Sequence, residues 1–230
     1  MIYHEWIDFA NTTVDWFATD SQEAYNFNLK NRYQDLEDAG WVDQSIDYSF
    51  NSLGFRDDEF LTNLNYLAVG CSHTQGVGLH REQTWVSQLS NMIGEKVFNA
   101  GISGAAQDTV YRVLDQLLPN YHPKVVFMLA PPSWRMELSD DNQTFKVYNF
   151  HSYAEDRSKH LDFYFQNDIN SSINSQRNID AIQNICNKWN SKLITLLSDH
   201  DLITDERARD LMHSSPDAQK DVANKFKELL

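Results

Sequence analysis

Residues 66–78 read Tyr66-Leu67-Ala68-Val69-Gly70-Cys71-Ser72-His73-Thr74-Gln75-Gly76-Val77-Gly78. A short apolar run of strand type, 66–69, stops at a small, polar, glycine-rich segment. A buried strand running into such a loop places Ser72 at a strand's C-terminal end. In open α/β sheets that is where ligands bind. The glycines at 70, 76 and 78 permit positive φ and let a backbone N–H approach a ligand closely.

The chain downstream keeps a strand–helix rhythm. Helical spacing is expected near 84–93, with Trp85, Leu89, Met92 and Ile93 inward. Residues 96–100 read as a short strand ending at Gly101-Ile102-Ser103-Gly104. A helix near 106–118 then carries Val110, Val113, Leu114, Leu117 and Leu118 on one side, and Pro119 and Pro123 bracket a loop. Val125-Val126-Phe127-Met128-Leu129 is continuously apolar, as a strand buried on both faces should be. A helix over about 172–190, a strand over 193–197 and a helix over about 216–229 complete the pattern. Strands alternating with helices make βαβ units and a parallel sheet. The expected architecture is one α/β domain, a flavodoxin-like three-layer α/β/α fold.

Two segments stand outside this rhythm. Residues 1–45 read as a helical N-terminal extension, with Trp6, Phe9, Ala10, Trp16 and Phe17 at near-helical spacing and Tyr25, Leu29, Tyr33 and Leu36 more cleanly so. Gly40 is the expected stop, and the segment is expected to cap the main domain. Ile46, Tyr48 and Phe50 then alternate with Asp47 and Ser49 in an edge-strand pattern, followed by a turn over 51–58. Residues 131–171 form a long aromatic insertion at the end of a central strand. It begins Pro131-Pro132-Ser133-Trp134-Arg135 and holds a turn-like Asp140-Asp141-Asn142. Loops of that length beside a crevice are usually lids or binding surfaces.

Composition narrows the function. The 230 residues carry a formal net charge of −14, which argues against nucleic acid and anionic membrane surfaces as partners. No apolar run reaches membrane-spanning length, and the N-terminus lacks the blocks of a signal peptide, so a cytoplasmic setting is expected. Cys71 and Cys186 make neither a disulfide framework nor zinc spacing. No H-x-x-x-H or H-x-E cluster suggests a metal, and Asp199-His200-Asp201 reads as a solvated loop. The glycine-rich loop has neither G-x-G-x-x-G nor a Walker lysine.

A serine hydroxyl needs a base to become a nucleophile, and His73, His80 and His213 are the candidates. His213 lies in Asp210-Leu211-Met212-His213, after the last strand. Asp and His three apart meet on one turn, so that the carboxylate holds one ring nitrogen and the other stays free to take a proton. Ser72, the 101–104 loop and Asp210–His213 all fall on the same edge of the expected sheet. Backbone N–H groups of Ser72 and Gly104 can then face a developing oxyanion.

These blocks resemble those of SGNH (GDSL-type) hydrolases. Gly70-Cys71-Ser72-His73-Thr74-x-Gly76-x-Gly78 resembles the first block, G-D-S-x-T-x-G-x-G. Asn99–Gly104 resembles the second, and 208–216 resembles the last. The turn Asn51–Arg56 resembles a segment found upstream of the first block in bacterial members, and the resemblance covers roughly residues 46–228. It implies an esterase or carbohydrate O-deacetylase without a cofactor, acting on a small-molecule or glycan ester. Ser72 would be nucleophile, His213 base and Asp210 its orienting acid, with Gly104 and Ser72 as oxyanion donors. Two departures stand out. Cys71 replaces the aspartate beside the serine, and the third block's asparagine is absent where 130–135 read Ala-Pro-Pro-Ser-Trp-Arg. Ser133 and Arg135 are the candidates to supply a replacement contact. The missing asparagine also leaves open an inactive member that binds a glycan or a protein.

Overall fold

The structure is a computed structural model, and it describes residues 6–139, 145–148, 168–198 and 207–230. Its centre is a four-stranded parallel sheet. The strands are β3 (Tyr66–Gly70), β4 (Val97–Gly101), β5 (Val125–Ala130) and β8 (Lys192–Leu197), in the order β4-β3-β5-β8. This is the flavodoxin-like order. The run 125–130 alternates between the two faces, as a central strand must. Val126, Met128 and Ala130 join the core on one face, and Phe127 and Leu129 join the core on the other.

Helices cover both faces. On one face lie α5 (Gln107–Tyr121) and α6 (Asp168–Lys188), packed together over Leu67, Val69, Val126 and Met128. On the other lie α4 (Trp85–Ile93) and α7 (Pro216–Leu229), where Trp85, Leu89, Val222 and Phe226 meet Ala68, Phe127 and Ile194. The connection β3→β4 runs through α4 on one face and β4→β5 through α5 on the other. The chain therefore reverses direction across the sheet at β3, the kind of point outside whose strand ends ligands bind in open α/β sheets. Ser72 is the first residue of α3 (Ser72–Gln75), immediately past β3.

Several expectations need adjustment. Helix α5 runs through Pro119 to Tyr121, so the loop expected between Pro119 and Pro123 shrinks to 122–124. A proline in a final turn removes only one N–H, and the left-handed His122 (φ 45°) closes the helix with its N–H on the Leu118 carbonyl. The N-terminal extension carries helices α1 (Gln22–Asn31) and α2 (Tyr33–Asp38), but residues 7–17 do not extend them. They form a 3-10 turn, Ile7–Phe9, and a strand β1, Thr13–Val14, antiparallel to β2 (Tyr48–Ser49). The β-branched run Thr12-Thr13-Val14 and a left-handed Asn11 (φ 60°) disfavour helix there. The aromatics instead converge. Phe17 lies 4.7 Å from Trp6 and 4.9 Å from Phe50, ring to ring. Ile46, Tyr48 and Phe50 are buried as the alternation indicated, though the strand is only Tyr48–Ser49 and pairs in this separate ribbon, not on the edge of the main sheet.

Of the insertion, the described residues include the antiparallel pair β6 (Met136–Ser139) and β7 (Phe145–Tyr148), and its last residues, 168–171, belong to α6. The pair is sewn to α5 by paired bonds of 2.8 Å from Arg112 to the Glu137 carboxylate. The expected turn at Asp140–Asn142, the aromatic stretch 150–165 and the loop 199–201 lie outside the described residues. Among the described residues, no helix is long and apolar enough to cross a membrane.

Candidate active site

The site is built on three loops at the C-terminal edge of the sheet, and each is fixed to the Ser72 segment. Short-range bonds shape that segment first. The Cys71 carbonyl accepts from Thr74 and Gln75, and the Ser72 carbonyl accepts from Gly76 and Val77. The upstream turn then clamps it from beneath. Asn51 Oδ1 holds the N–H groups of Leu53 and Phe55, both at 3.0 Å, which aims Arg56 inward. The buried Arg56 guanidinium donates to the carbonyls of Gly76, Leu79 and Asp47.

The second loop, 101–106, bonds to the same segment. The Ile102 N–H reaches the Gly70 carbonyl at 3.0 Å, and the Ser103 N–H reaches Gln75 Oε1 at 2.9 Å. Trp6 Nε1 caps the Ser103 carbonyl from the N-terminal extension at 2.9 Å. Gly104 follows with φ +81°, exposed. Among the described residues, the N–H groups of Ser72 and Gly104 have no protein acceptor.

The third loop is 207–215. Its Arg209 N–H donates to the Gly78 carbonyl at 2.9 Å. This contact explains the last glycine of the first motif. Gly78 has φ +77°, and a Cβ there would lie 2.8 Å from Ala208 Cβ and 3.1 Å from Asp210 Oδ1.

The structure brings Ser72, His213 and Asp210 into one hydrogen-bonded chain. Ser72 Oγ lies 2.7 Å from His213 Nε2, and His213 Nδ1 lies 2.6 Å from Asp210 Oδ2. Ser72 is 4% exposed and Asp210 is likewise buried. Asp210 divides its two oxygens. Oδ1 accepts the N–H groups of Met212 (3.0 Å) and His213 (3.1 Å), which closes the D-x-x-H turn. Oδ2 faces His213 and also accepts the Thr19 hydroxyl at 2.7 Å. Burial pushes this carboxyl up, but the His213 and Thr19 hydrogen bonds and the imidazole's charge outweigh it and hold it at about 2. An ionised carboxylate only accepts, so Nδ1 carries a proton. In the neutral ring Nε2 is then the acceptor for the serine hydroxyl.

The other two histidine candidates lie elsewhere. His80 precedes a 3-10 turn and packs against Trp41. His73 turns away from the serine, bonds Ser214 Oγ through Nδ1 at 2.9 Å, and sets its ring edge-on to His213 at 4.8 Å. Burial, with the neighbouring His213, drives its basicity well below the ordinary imidazole value. Cys71 is buried in the core under α5. Arg135 donates to the Ala105 carbonyl at 3.2 Å, so it braces the loop that carries Gly104. Ser133 lines a separate cavity beside Gln107. Among the described residues, no group of three or more His, Cys, Asp and Glu is placed to hold a metal.

Sequence reasoning missed two contributors, Thr19 and Asp20. Thr19 touches the acid from 191 positions away, and no local pattern announces such a contact. Asp20 forms a buried ion pair with Arg209, Nη2 to Oδ2 at 2.7 Å, both side chains 1% exposed. The N-terminal extension thus holds the loop that carries Asp210.

No family model matches this sequence, and no curated protein matches it. Solved structures do resemble it. TesA is 17% identical over 72% of this chain and 99% of its own, with a TM-score of 0.49. The psychrotrophic esterase EstA from Pseudoalteromonas is 17% identical over 71% and 95%, with a TM-score of 0.38. A lipolytic protein of the G-D-S-L family from Desulfitobacterium hafniense is 13% identical over 73% and 100%, with a TM-score of 0.40. At these identities the likeness is one of fold.

Proposed function

We propose that this chain is a serine hydrolase of the SGNH type that cleaves carboxylic esters through an acyl-enzyme on Ser72. One observation carries the reading: the continuous chain Ser72 Oγ–His213 Nε2 (2.7 Å) and His213 Nδ1–Asp210 Oδ2 (2.6 Å), set at the end of the central strand. In this mechanism Oγ attacks the ester carbonyl while Nε2 takes its proton. The N–H groups of Ser72 and Gly104 receive the developing oxyanion. The tetrahedral intermediate collapses, the alcohol leaves with the proton from Nε2, and the acyl group stays on Oγ. Water then attacks the acyl-enzyme with His213 again as base, releasing the acid and restoring the hydroxyl. Asp210 keeps the imidazole oriented and stabilises its protonated form. Of the two candidates past β5, Arg135 steadies the Gly104 loop through the Ala105 carbonyl, whereas Ser133 lines the separate cavity beside Gln107.

The test compares wild type with Ser72→Ala on p-nitrophenyl acetate and on an acetylated sugar, together with labelling by an alkyl phosphonate. Wild type should turn over and take one phosphonate on Ser72. The variant should do neither and melt at the same temperature. A correctly folded wild type that neither turns over nor labels refutes the enzyme and leaves an inactive, binding member of the fold.

A further inference from the structure

One imidazole beside the triad has no part in the chemistry above. His73 follows Ser72 in α3, and its ring meets the His213 ring edge-on, with centroids 4.8 Å apart and planes at 61°. A chain of bonds from α4 and α7 sets its place. The Trp85 N–H, at the start of α4, donates to Gln219 Oε1 at 2.8 Å. The NH₂ end of the Gln219 amide therefore faces His73. Its Nε2 donates to the His73 carbonyl at 3.2 Å and to Ser214 Oγ at 3.0 Å. Ser214 Oγ in turn lies 2.9 Å from His73 Nδ1. Ser214 and Gln219 are fully buried.

These partners fix the tautomer of the ring. Ser214 Oγ already accepts from Gln219, and among the described residues His73 Nδ1 is the acceptor left for its own proton. Nδ1 thus accepts, and the proton of the neutral ring sits on Nε2. Burial and the nearby His213 hold the basicity of His73 well below the ordinary imidazole value. The ring is therefore neutral beside a base that becomes positive during the reaction, and it does not repel it.

Such a neighbour matters most at one stage. In the resting site His213 is held at both ring nitrogens, by Asp210 at Nδ1 and by Ser72 at Nε2. Once the acyl group is on Oγ, the serine proton has left with the alcohol, and an ester oxygen has no hydrogen to give Nε2. The ring then keeps its bond to Asp210 alone and must stay aimed to take a proton from water. Packing has to supply the second restraint. Among the described residues, His73 is the aromatic ring packed on His213. We infer that His73 is a positioning residue, tethered through Ser214 and Gln219, that keeps the His213 ring aimed while Ser72 carries the acyl group. Its effect on turnover rests on the ester-hydrolase reading, whereas the restraint on the ring does not.

The experiment therefore reads the ring and the rate separately, on the full chain. With isotope-labelled histidine, NMR follows the proton between His213 Nδ1 and Asp210 in wild type, His73→Ala, His73→Phe and Ser214→Ala. A sharp low-field resonance is expected in wild type. His73→Ala should broaden it and speed its exchange with water, and Ser214→Ala should do so less. His73→Phe, which restores a ring without the tether, should recover most of the sharpness. Stopped-flow with p-nitrophenyl acetate separates the two chemical steps. His73→Ala should slow deacylation by about two- to tenfold, as befits loss of one ring–ring contact, and leave the acylation burst near its wild-type rate. Circular dichroism melts check that the variants fold, and Ser214→Ala, which removes one oxygen, keeps the test open if His73→Ala does not. Four results overturn the inference: no such resonance in wild type, a resonance indifferent to both His73→Ala and Ser214→Ala, a His73→Phe variant as impaired as His73→Ala, or acylation slowed as much as deacylation. Any of these in a protein that turns over removes His73 and leaves the hydrolase. A resonance that responds as expected, in a protein that neither turns over nor takes a phosphonate, removes the hydrolase and leaves the positioned ring.

Discussion

Replacing Asp20 by Asn keeps the size of the side chain and removes its charge. Arg209 then remains buried with no counter-ion. It donates through Nε and Nη2 to Asp20 at 3.0 and 2.7 Å, and to the carbonyls of Gln44 and Asp15 at 3.0 Å each, and it lies 4.2 Å over the Trp16 ring. Tyr48 also loses the charged acceptor of its hydroxyl. Breaking a buried pair from one side costs about 3–5 kcal/mol. Arg209→Met strands the Asp20 carboxylate and should cost a similar amount. With a total stability of roughly 5–15 kcal/mol, each variant stays folded but loses a large share of its margin. Because m is about 1–3 kcal/mol/M in urea, the midpoint should fall by roughly 1–5 M. The double variant strands neither charge, so its loss should be well below the sum of the two, with a coupling of a few kcal/mol. Urea titrations followed by far-UV circular dichroism give all four corners of the cycle. The Arg209 N–H is bonded to Gly78 and its neighbour is Asp210, so kcat on p-nitrophenyl acetate should fall with the midpoint. Single losses that add to within about 0.5 kcal/mol would refute the claim that this pair holds the catalytic loop.

Three further outcomes follow from the same geometry. Gly78→Ala should lower both melting temperature and activity, since a left-handed non-glycine residue costs about 1–2 kcal/mol before the contact with Ala208 and Asp210 is relieved; an unchanged melt and rate would show that the two loops can part without consequence. Thr19→Val removes one hydroxyl from Asp210 and should slow turnover by about tenfold or less, as befits a net 0.5–1.5 kcal/mol, while Asp210→Asn slows it far more; equal rates for wild type and Thr19→Val would remove Thr19 from the positioning set. The Asp210 carboxyl is held at about 2 against an ordinary 3.8, so its stabilisation is present above about pH 4 and lost as pH falls through 2. That shift is worth about 2 kcal/mol, and the unfolding free energy from urea titration should fall between pH 7 and pH 2 by about that much more in wild type than in Asp210→Asn.

What was legible in the sequence was local. The run 125–129 reads as a doubly buried strand because its side chains alternate between two apolar layers and neither face meets water. The D-x-x-H spacing reads as one turn because three residues bring the carboxylate under the imidazole. Ser72 and Gly104 were placed by the strands before them, and register did the rest. Contacts set by tertiary structure were not legible. Nothing around Thr19 or Asp20 marks them as partners of a loop near residue 210. The aromatics at 6–17 recur at near-helical spacing, yet β-branched neighbours and a left-handed Asn11 direct them into a cluster instead. Pro119 looked like a stop because proline is costly inside a helix, but in the last turn it removes little. Ser133 and Arg135 were candidates by position alone, and they part company: Arg135 braces a loop through Ala105, and Ser133 faces the cavity of Gln107.

Under the proposed function, the lack of the asparagine that the resemblance implies bears on how the site is held together as well as on the oxyanion. Catalytic groups must be oriented before charge develops, since reorientation during the reaction costs rate. In this chain the other two loops are tied to the Ser72 segment by backbone or amide bonds: 101–106 through Ile102 to Gly70 and Ser103 to Gln75, and 207–215 through Arg209 to Gly78. Arg56 ties the segment itself to the turn upstream. The N-terminal extension adds a second layer, with Trp6 on Ser103, Thr19 on Asp210 and Asp20 on Arg209. Loss of one side-chain oxyanion donor costs about 10²–10³ in rate, and rigidity cannot restore a missing dipole. It can keep the two backbone donors aimed. Arg135 supplies that rigidity to the Gly104 loop, and the N-terminal extension supplies it to the Asp210 loop. A slow serine enzyme with a well-ordered triad is the behaviour this arrangement favours, and disordering the extension through Asp20→Asn should slow it further without touching Ser72.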